Sequence, residues 1–340
     1  MSAELPYAHG GPPLCARLRL EPADFDVEEV LGFEPSGHGE HAFLRIEKTG
    51  ANTDWVAREL ARAAGVAPAA VGYAGLKDRH AVARQAFTVH LPGRDGPDWS
   101  ALDVAGVAVL EATRHDRKLK RGAHRGNRFR IRLRGASGDR DAAASRLEAI
   151  RARGVPNYFG EQRFGRGGAN LALAEALFAG RRLPRFQHGV ALSAARSALF
   201  NAALATRVAD RSWDRPLDGE VWMLDGARAI FGPEPIDEVL ERRCAALEIH
   251  PTGPLWGRGE LRSTGAVRRL EDAAAAAHAA FAAGLAAADL RQERRALRLR
   301  GGGLAHAWDG DTLECAFELG AGAFATALLR ELCRWSDRDE

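Results

Sequence analysis

The sequence predicts an α+β fold, a mixed and mainly antiparallel sheet core with helices, interrupted by a mostly helical insertion. Its first 135 residues carry short runs with strand alternation and one clear helix. From about Asp141 the chain turns Ala-rich and helical, and after Gly301–Gly303 the alternation returns. A β-rich beginning and end around a helical middle read as one domain interrupted by another. The chain has 340 residues, 46% of them hydrophobic and 27% charged, enough for two cores. The expected division is 1–152 with 299–340 for the interrupted domain and 153–298 for the insertion.

Leu14 to Leu20, Phe25 to Val30 and Phe43 to Ile46 alternate as strands between Glu-Pro and Gly-rich turns. Asn52, Thr53 and Asp54 offer an N-cap for a helix from Trp55 to Ala64, closed by Gly65. Val71 to Ala74 reads as the end of a strand, and alternation resumes at Phe87, Val89 and Leu91 and at Val107 and Val109. Helices are expected over Asp141 to Ala152, Ala169 to Ala179, Ser193 to Val208, Pro235 to Leu247 and a long run from Val267 to Arg295. That run is rich in Ala, a strong helix former, with Leu270, Phe281 and Leu285 as apolar anchors. Leu313, Cys315, Phe317 and Leu319 mark a late strand, and Leu328, Leu329 and Leu332 a last helix.

Composition narrows the function. No apolar run approaches a membrane span, and Met1-Ser-Ala-Glu-Leu-Pro lacks the charged and hydrophobic regions of a signal peptide, so the cytoplasm is expected. Cys15, Cys244, Cys315 and Cys333 form no CxxC pair, which argues against zinc or a disulfide scaffold. The net charge is only +3, so any nucleic-acid argument rests on where charge lies. Lysine occurs only at Lys48, Lys77, Lys118 and Lys120 among 48 basic residues, which makes a lysine inside a motif mildly informative.

Two clusters stand out. Gly75-Leu76-Lys77-Asp78-Arg79-His80 places an aspartate between cations just after a strand end, available as a nucleophile or base. The same run also reads as a solvated turn, where Asp is a favoured residue. Arg114 to Arg134 holds ten Lys or Arg residues against the single acid Asp116. In its second half Phe129, Ile131 and Leu133 share one strand face, and Arg128, Arg130, Arg132 and Arg134 the other. A polyanion would relieve the repulsion among those guanidinium groups, as would cross-strand acids such as Glu28 and Glu29.

The chain has no P-loop, no GxGxxG after a strand, no nucleophile elbow and no His-rich metal spacing. A carboxylate used alone, beside a basic face and aromatics, suits chemistry at a sugar carbon of RNA. A glycosidase would need a second acid, and none stands near the motif.

The run Val71 to Phe87, VGYAGLKDRHAVARQAF, resembles the signature of the TruD family of tRNA pseudouridine synthases. Glu21-Pro-Ala-Asp-Phe-Asp-Val-Glu-Glu29, Gly32 to Pro35, Lys118 to Gly122, Gly126 to Phe129, Val155 to Gly165, Ser193 to Asn201 and Gly322 to Thr326 are similar to family segments in the same order. The resemblance implies a pseudouridine synthase-like core, with 153–298 as a TruD-type insertion. It implies Asp78 as the catalytic carboxylate and Phe25, Asn127 and Phe324 as walls of a pocket for a flipped-out uridine. Phe129 stands where other pseudouridine synthase families use tyrosine, so stacking is expected without a phenol. Arg19 stands where a basic residue is expected to pair with the aspartate. Ala83 departs from a position often occupied by Thr. Lys77, Lys118, Lys120, Arg128, Arg130 and Arg132 are expected to meet RNA. The implied partner is tRNA, at uridine 13 of the D arm, with no cofactor and no metal; a monomer is compatible with the sequence. A non-catalytic tRNA-binding protein or chaperone would use the same face and aromatics without needing Asp78.

Overall fold

The structure, a computed structural model, describes residues 5–337. Its contacts divide the chain into two compact units. The sheet unit comprises Leu14–Arg140, Gly302–Gly322 and the described part of Cys333–Glu340. The helix-rich unit comprises the described part of Met1–Pro13, together with Asp141–Gly301 and Ala323–Leu332. Residues 5–13, 141–152, 299–301 and 323–332, placed by sequence pattern with the interrupted domain, thus make their contacts with the helix-rich unit.

The sheet unit begins with β1 (Leu14–Leu18), β2 (Phe25–Val30) and β3 (His41–Thr49), then α1 (Thr53–Ala63) and β4 (Val71–Tyr73). Next come β5 (Val82–His90), β6 (Val107–His115) and β7 (Gly126–Gly138), and the hairpin Gly302–Asp309/Thr312–Gly320 and strand Cys333–Asp337 complete it. From the late hairpin the ladder runs through β7, β2, β5 and β3 to β6, with β1 beside β7 and β4 beside β5. Pairing is mainly antiparallel; β2 with β5 and β1 with Cys333–Asp337 are parallel. Leu44, Ile46, Phe87 and Val89 face α1 residues Val56, Ala57 and Leu60 in one core.

The arginine face of β7 is resolved by protein acids. Register sets Arg128 opposite both Glu28 and Glu318, and Arg132 opposite Glu314. The ion pairs follow: Arg128 lies 3.1 Å from Glu28 and 2.8 Å from Glu318, Arg132 2.9 Å from Glu314, and Arg134 2.7 Å from Asp24. Arg130 reaches Glu314 at 3.7 Å. The repulsion that suggested a polyanion is therefore already relieved within the fold. Glu29, expected on that face, is not there. Strand alternation puts it with Phe25 and Val27 on the buried side, where it is 4% exposed.

The helix-rich unit carries helices Arg140–Arg153, Ala169–Phe178, Arg185–Ala209 and Glu238–Ala245, the first of them starting one residue before the unit's boundary. The long run expected from Val267 to Arg295 is broken. It forms helices Gly265–Ala277 and Ala279–Ala287, parted at His278, and ends in strand Glu293–Ala296. Alanine favours helix but supplies little side-chain volume to hold one straight helix against a core. At Gly284 the second helix approaches Phe178 so closely that a Cβ would lie 2.2 Å from its ring. This unit also holds a four-stranded sheet of Trp222–Leu224, Ile230–Phe231, Ile249–Leu255 and Glu293–Ala296. Pro251, Gly253 and Pro254 hid the third strand, since Pro and Gly argue against strand interiors.

Asn201, on helix Arg185–Ala209, clamps the segment Tyr158–Phe159. Its Oδ1 accepts from the Phe159 N–H and its Nδ2 donates to the Phe159 carbonyl, both at 2.9 Å and buried. Asn201→Ala is expected to cost about 3 kcal/mol by stranding those backbone groups, read as a lower urea midpoint with unchanged m.

Candidate active site

Residues Gly75–Asp78 have no regular secondary structure between β4 and β5, yet buried side chains hold them at several points. Gln85 Nε2 donates to the Gly75 carbonyl at 3.2 Å, and the Lys77 N–H donates to Thr53 Oγ1 at 3.0 Å. Thr53 in turn donates to Gln85 Oε1 at 2.8 Å. Its hydroxyl thus serves the loop, while Asn52 stands at the helix N-cap without a side-chain hydrogen bond. Lys77 Nζ meets Glu29 Oε2 at 2.7 Å, with the two side chains 5% and 0% exposed. Glu29 Oε1 also accepts the Ala86 N–H at 3.2 Å. Lys77 is therefore turned inward and committed to Glu29; the surface contact with RNA expected of it has no exposed ammonium to make it.

Asp78 is held at both carboxylate oxygens. Oδ1 accepts the His80 N–H at 3.0 Å, forming a local turn, and Oδ2 lies 3.3 Å from Arg19 Nη2. The Arg19 and Asp78 side chains are 13% and 23% exposed, so the pair is sheltered but open to a ligand. Arg19 has φ +59°, a left-handed conformation uncommon outside glycine, which costs backbone energy at this point. The structure thus brings together Arg19 and Asp78, far apart in sequence.

An aromatic series continues from that pair. The Arg19 guanidinium lies over the Phe25 ring, 4.6 Å from its centroid, a cation–π contact. Phe25 meets Phe129 edge-on at 5.9 Å, and Phe129 packs on Phe317 at 5.5 Å. Phe25 and Phe129 are both buried. Asn127, two residues before Phe129, projects to the same side of β7. Its Oδ1 is buried with no hydrogen-bond partner, leaving an acceptor for a ligand N–H. Phe324 belongs to the helix-rich unit, where its ring lies 6.1 Å from Phe159 and 5.7 Å below the Arg163 guanidinium.

The expected RNA-facing residues divide. Lys118 and Lys120 are exposed, and Lys118 Nζ donates to the Ala69 carbonyl. Arg128, Arg130 and Arg132 are 57%, 63% and 39% exposed but carry the acid partners described above. A cavity of about 1000 Å³ in the helix-rich unit, lined by Arg146, Arg153, Arg211, Trp213 and Arg215 among others, contains none of the candidate residues.

Sequence reading missed Lys48. It lies on β3, is fully buried, and donates from Nζ to the carbonyls of Ala51 and Asp78, each at 2.8 Å. Burial pushes its ammonium down to about 8, with Asp78 opposing that shift and Lys77 adding to it. Its sequence signal is rarity, since Lys48 is one of only four lysines in this arginine-biased chain.

Comparison with known proteins agrees with these motifs. A family model described as tRNA pseudouridine synthase D (TruD) matches residues 4–181 and 173–332. A protein of Xanthomonas campestris pv. campestris (strain 8004), called tRNA pseudouridine synthase D, is 53% identical over 347 residues, covering 97% of this chain and 95% of its own. A Methylococcus capsulatus (strain ATCC 33009 / NCIMB 11132 / Bath) protein of the same name is 54% identical over 332 residues, covering 97% and 94%. A Methanosarcina mazei crystal structure described as TruD superposes with a TM-score of 0.71 at 19% identity, over 96% of this chain and 95% of that one, a likeness of fold. Among the described residues no helix is long and apolar enough to cross a membrane.

Proposed function

The chain belongs to the tRNA pseudouridine synthase D (TruD) family, and on that premise we propose that it isomerises uridine 13 in the D arm of tRNA to pseudouridine, using Asp78. The observation that carries the reading is the Asp78 carboxylate, fixed by Arg19 and half-open, at one end of the Phe25–Phe129 aromatic series. Within this reading 1–152 with 299–340 acts as the catalytic domain and 153–298 as the insertion, in the cytoplasm.

The reaction breaks the N1–C1′ bond, turns the uracil and joins C5 to C1′, after which C5 loses its proton. It is redox-neutral and needs no cofactor. The target nucleotide leaves the RNA stack, at a cost of a few kcal/mol offset by aromatic packing and polar contacts in the pocket. Asn127 Oδ1, buried and unpartnered, suits the uracil N3–H. Asp78 then adds to C1′, or takes the C2′ proton to give a glycal; both routes require a carboxylate on the ribose side of the base. Arg19 holds that carboxylate in place. For Phe324 the support is the family motif alone.

Phosphates are met by exposed cations, with Lys118 and Lys120 first and Arg128, Arg130 and Arg132 exchanging weak surface ion pairs for phosphate. Affinity for tRNA is expected to fall steeply as salt rises. Lys120→Ala should flatten the slope of log affinity against log salt by about 1. An affinity indifferent to salt would contradict this role.

The deciding experiment incubates unmodified tRNA transcript with the protein and maps pseudouridine at single-nucleotide resolution. The expected product is one pseudouridine, at position 13. Bound but unchanged RNA would replace this reading with that of a tRNA-binding protein.

A further inference from the structure

We propose that Lys48 is a positioning residue for the isomerisation, its buried ammonium fixing the Asp78 peptide and thereby the direction of the catalytic carboxylate. The proposal rests on Asp78 being the catalytic group. The two carbonyls that Lys48 binds belong to different segments, Ala51 in the turn leading into α1 and Asp78 in the loop between β4 and β5. One ammonium therefore ties the loop to the start of the helix. Arg19 and the His80 N–H hold the carboxylate end of Asp78, and Lys48 holds its backbone end. Without Lys48 the loop would lose its hold at the residue that must be aimed.

The chemistry of the position supports a task beyond filling space. On the neighbouring strands Lys48 is opposite Ala83 and Val107, so an unbranched apolar side chain would suit the surroundings without the desolvation of a charge. The charged groups that face it are Asp78 and Lys77 of the loop. Lys77 is neutralised by Glu29 of β2, and Asp78 is paired with Arg19. The Lys48 charge is thus left to act on the Asp78 peptide and, through space, on its carboxylate. Burial outweighs the attraction of Asp78, so the ammonium loses its proton as pH rises through about 8. The neutral amine binds the two carbonyls more weakly than the cation does.

The test is the single-turnover rate of pseudouridine formation on tRNA, with enzyme saturating, from pH 6 to pH 10. The wild-type rate is expected to fall as pH rises through about 8. Lys48→Met should lower the rate near neutrality by about 100-fold, as expected for a catalytic group misplaced by an ångström, and should lose that alkaline fall. Its tRNA dissociation constant should stay at the wild-type value, and because the Ala51 and Asp78 carbonyls lose their donor its melting temperature should fall, so the rates are compared well below that temperature. Lys48→Arg keeps the cation at high pH and is expected to move the alkaline fall upward, which decides the matter if Lys48→Met does not fold. A Lys48→Met enzyme as fast as wild type, or an alkaline fall that Lys48→Arg leaves in place, overturns the proposal. Asp78→Asn separates the two levels. If that variant is active, the catalytic reading itself fails; if it is inactive while Lys48→Met is undiminished, only the role of Lys48 fails.

Discussion

Replacing Asp78 by asparagine is expected to abolish pseudouridine formation, lowering the single-turnover rate by roughly 10,000-fold or more, with tRNA affinity almost unchanged. The substitution is nearly isosteric. The asparagine Oδ1 still accepts the His80 N–H, so the local turn survives. What is lost is the anionic oxygen beside Arg19, and with it, on the proposed mechanism, the group that would form an ester at C1′ or remove the C2′ proton. On the proposed reading, binding relies on phosphate contacts and base packing, which Asp78 does not supply. Release of tritium from C5-labelled uridine in tRNA reads the chemistry directly, and a filter-binding titration reads affinity. Release at the wild-type rate would remove Asp78 from the mechanism. Loss of release together with loss of binding would place Asp78 in RNA recognition.

Much of the frame was legible because strand alternation is a local signal. Phe25 to Val30 and the arginine-bearing strand through Arg134 appear as strands at or near the expected positions, while the alternation at Phe87, Val89 and Leu91 marks only the second half of the strand Val82–His90. The middle was less legible. Ile249–Leu255 pairs in a sheet despite its two prolines, because neighbouring strands and burial override the local preference. At the site, Asp78 and Arg19 were legible through motif likeness, and the structure pairs them. The supporting network was not, because Glu29, Thr53 and Gln85 come from three different elements and only folding brings them to the loop. Glu29 had a sequence signal that was passed over. In Phe25-Asp-Val-Glu-Glu29 the alternation places it with the two apolar residues, not with Glu28. Of the two partners open to the β7 arginines, polyanion or cross-strand acids, the fold supplies acids, Glu28 among those expected, while Glu314 and Glu318 were hidden because they lie almost two hundred positions later in the chain.

The same buried glutamate gives the largest expected change in stability. Glu29→Ala leaves the Lys77 ammonium, 5% exposed, without its carboxylate, and leaves the Ala86 N–H without an acceptor. Removing one partner of a buried ion pair typically costs about 3–5 kcal/mol, because the remaining charge is stranded in a poorly solvating site. Urea denaturation is expected to show a lower midpoint with unchanged m. The double variant Glu29→Leu with Lys77→Met should recover most of the loss, since an apolar pair of similar volume leaves no charge to solvate. If the double variant is as unstable as Glu29→Ala, the cost lies in packing or in the orphaned Ala86 N–H and not in the stranded charge. Activity then separates stability from positioning. Lys77 adjoins Asp78 in the loop, so the double variant can regain its fold and still misdirect the carboxylate. A stable but slow double variant would mean that the ion pair holds the loop in its working shape, while a stable and fast one would assign that task to the other anchors, Thr53, Gln85 and Lys48.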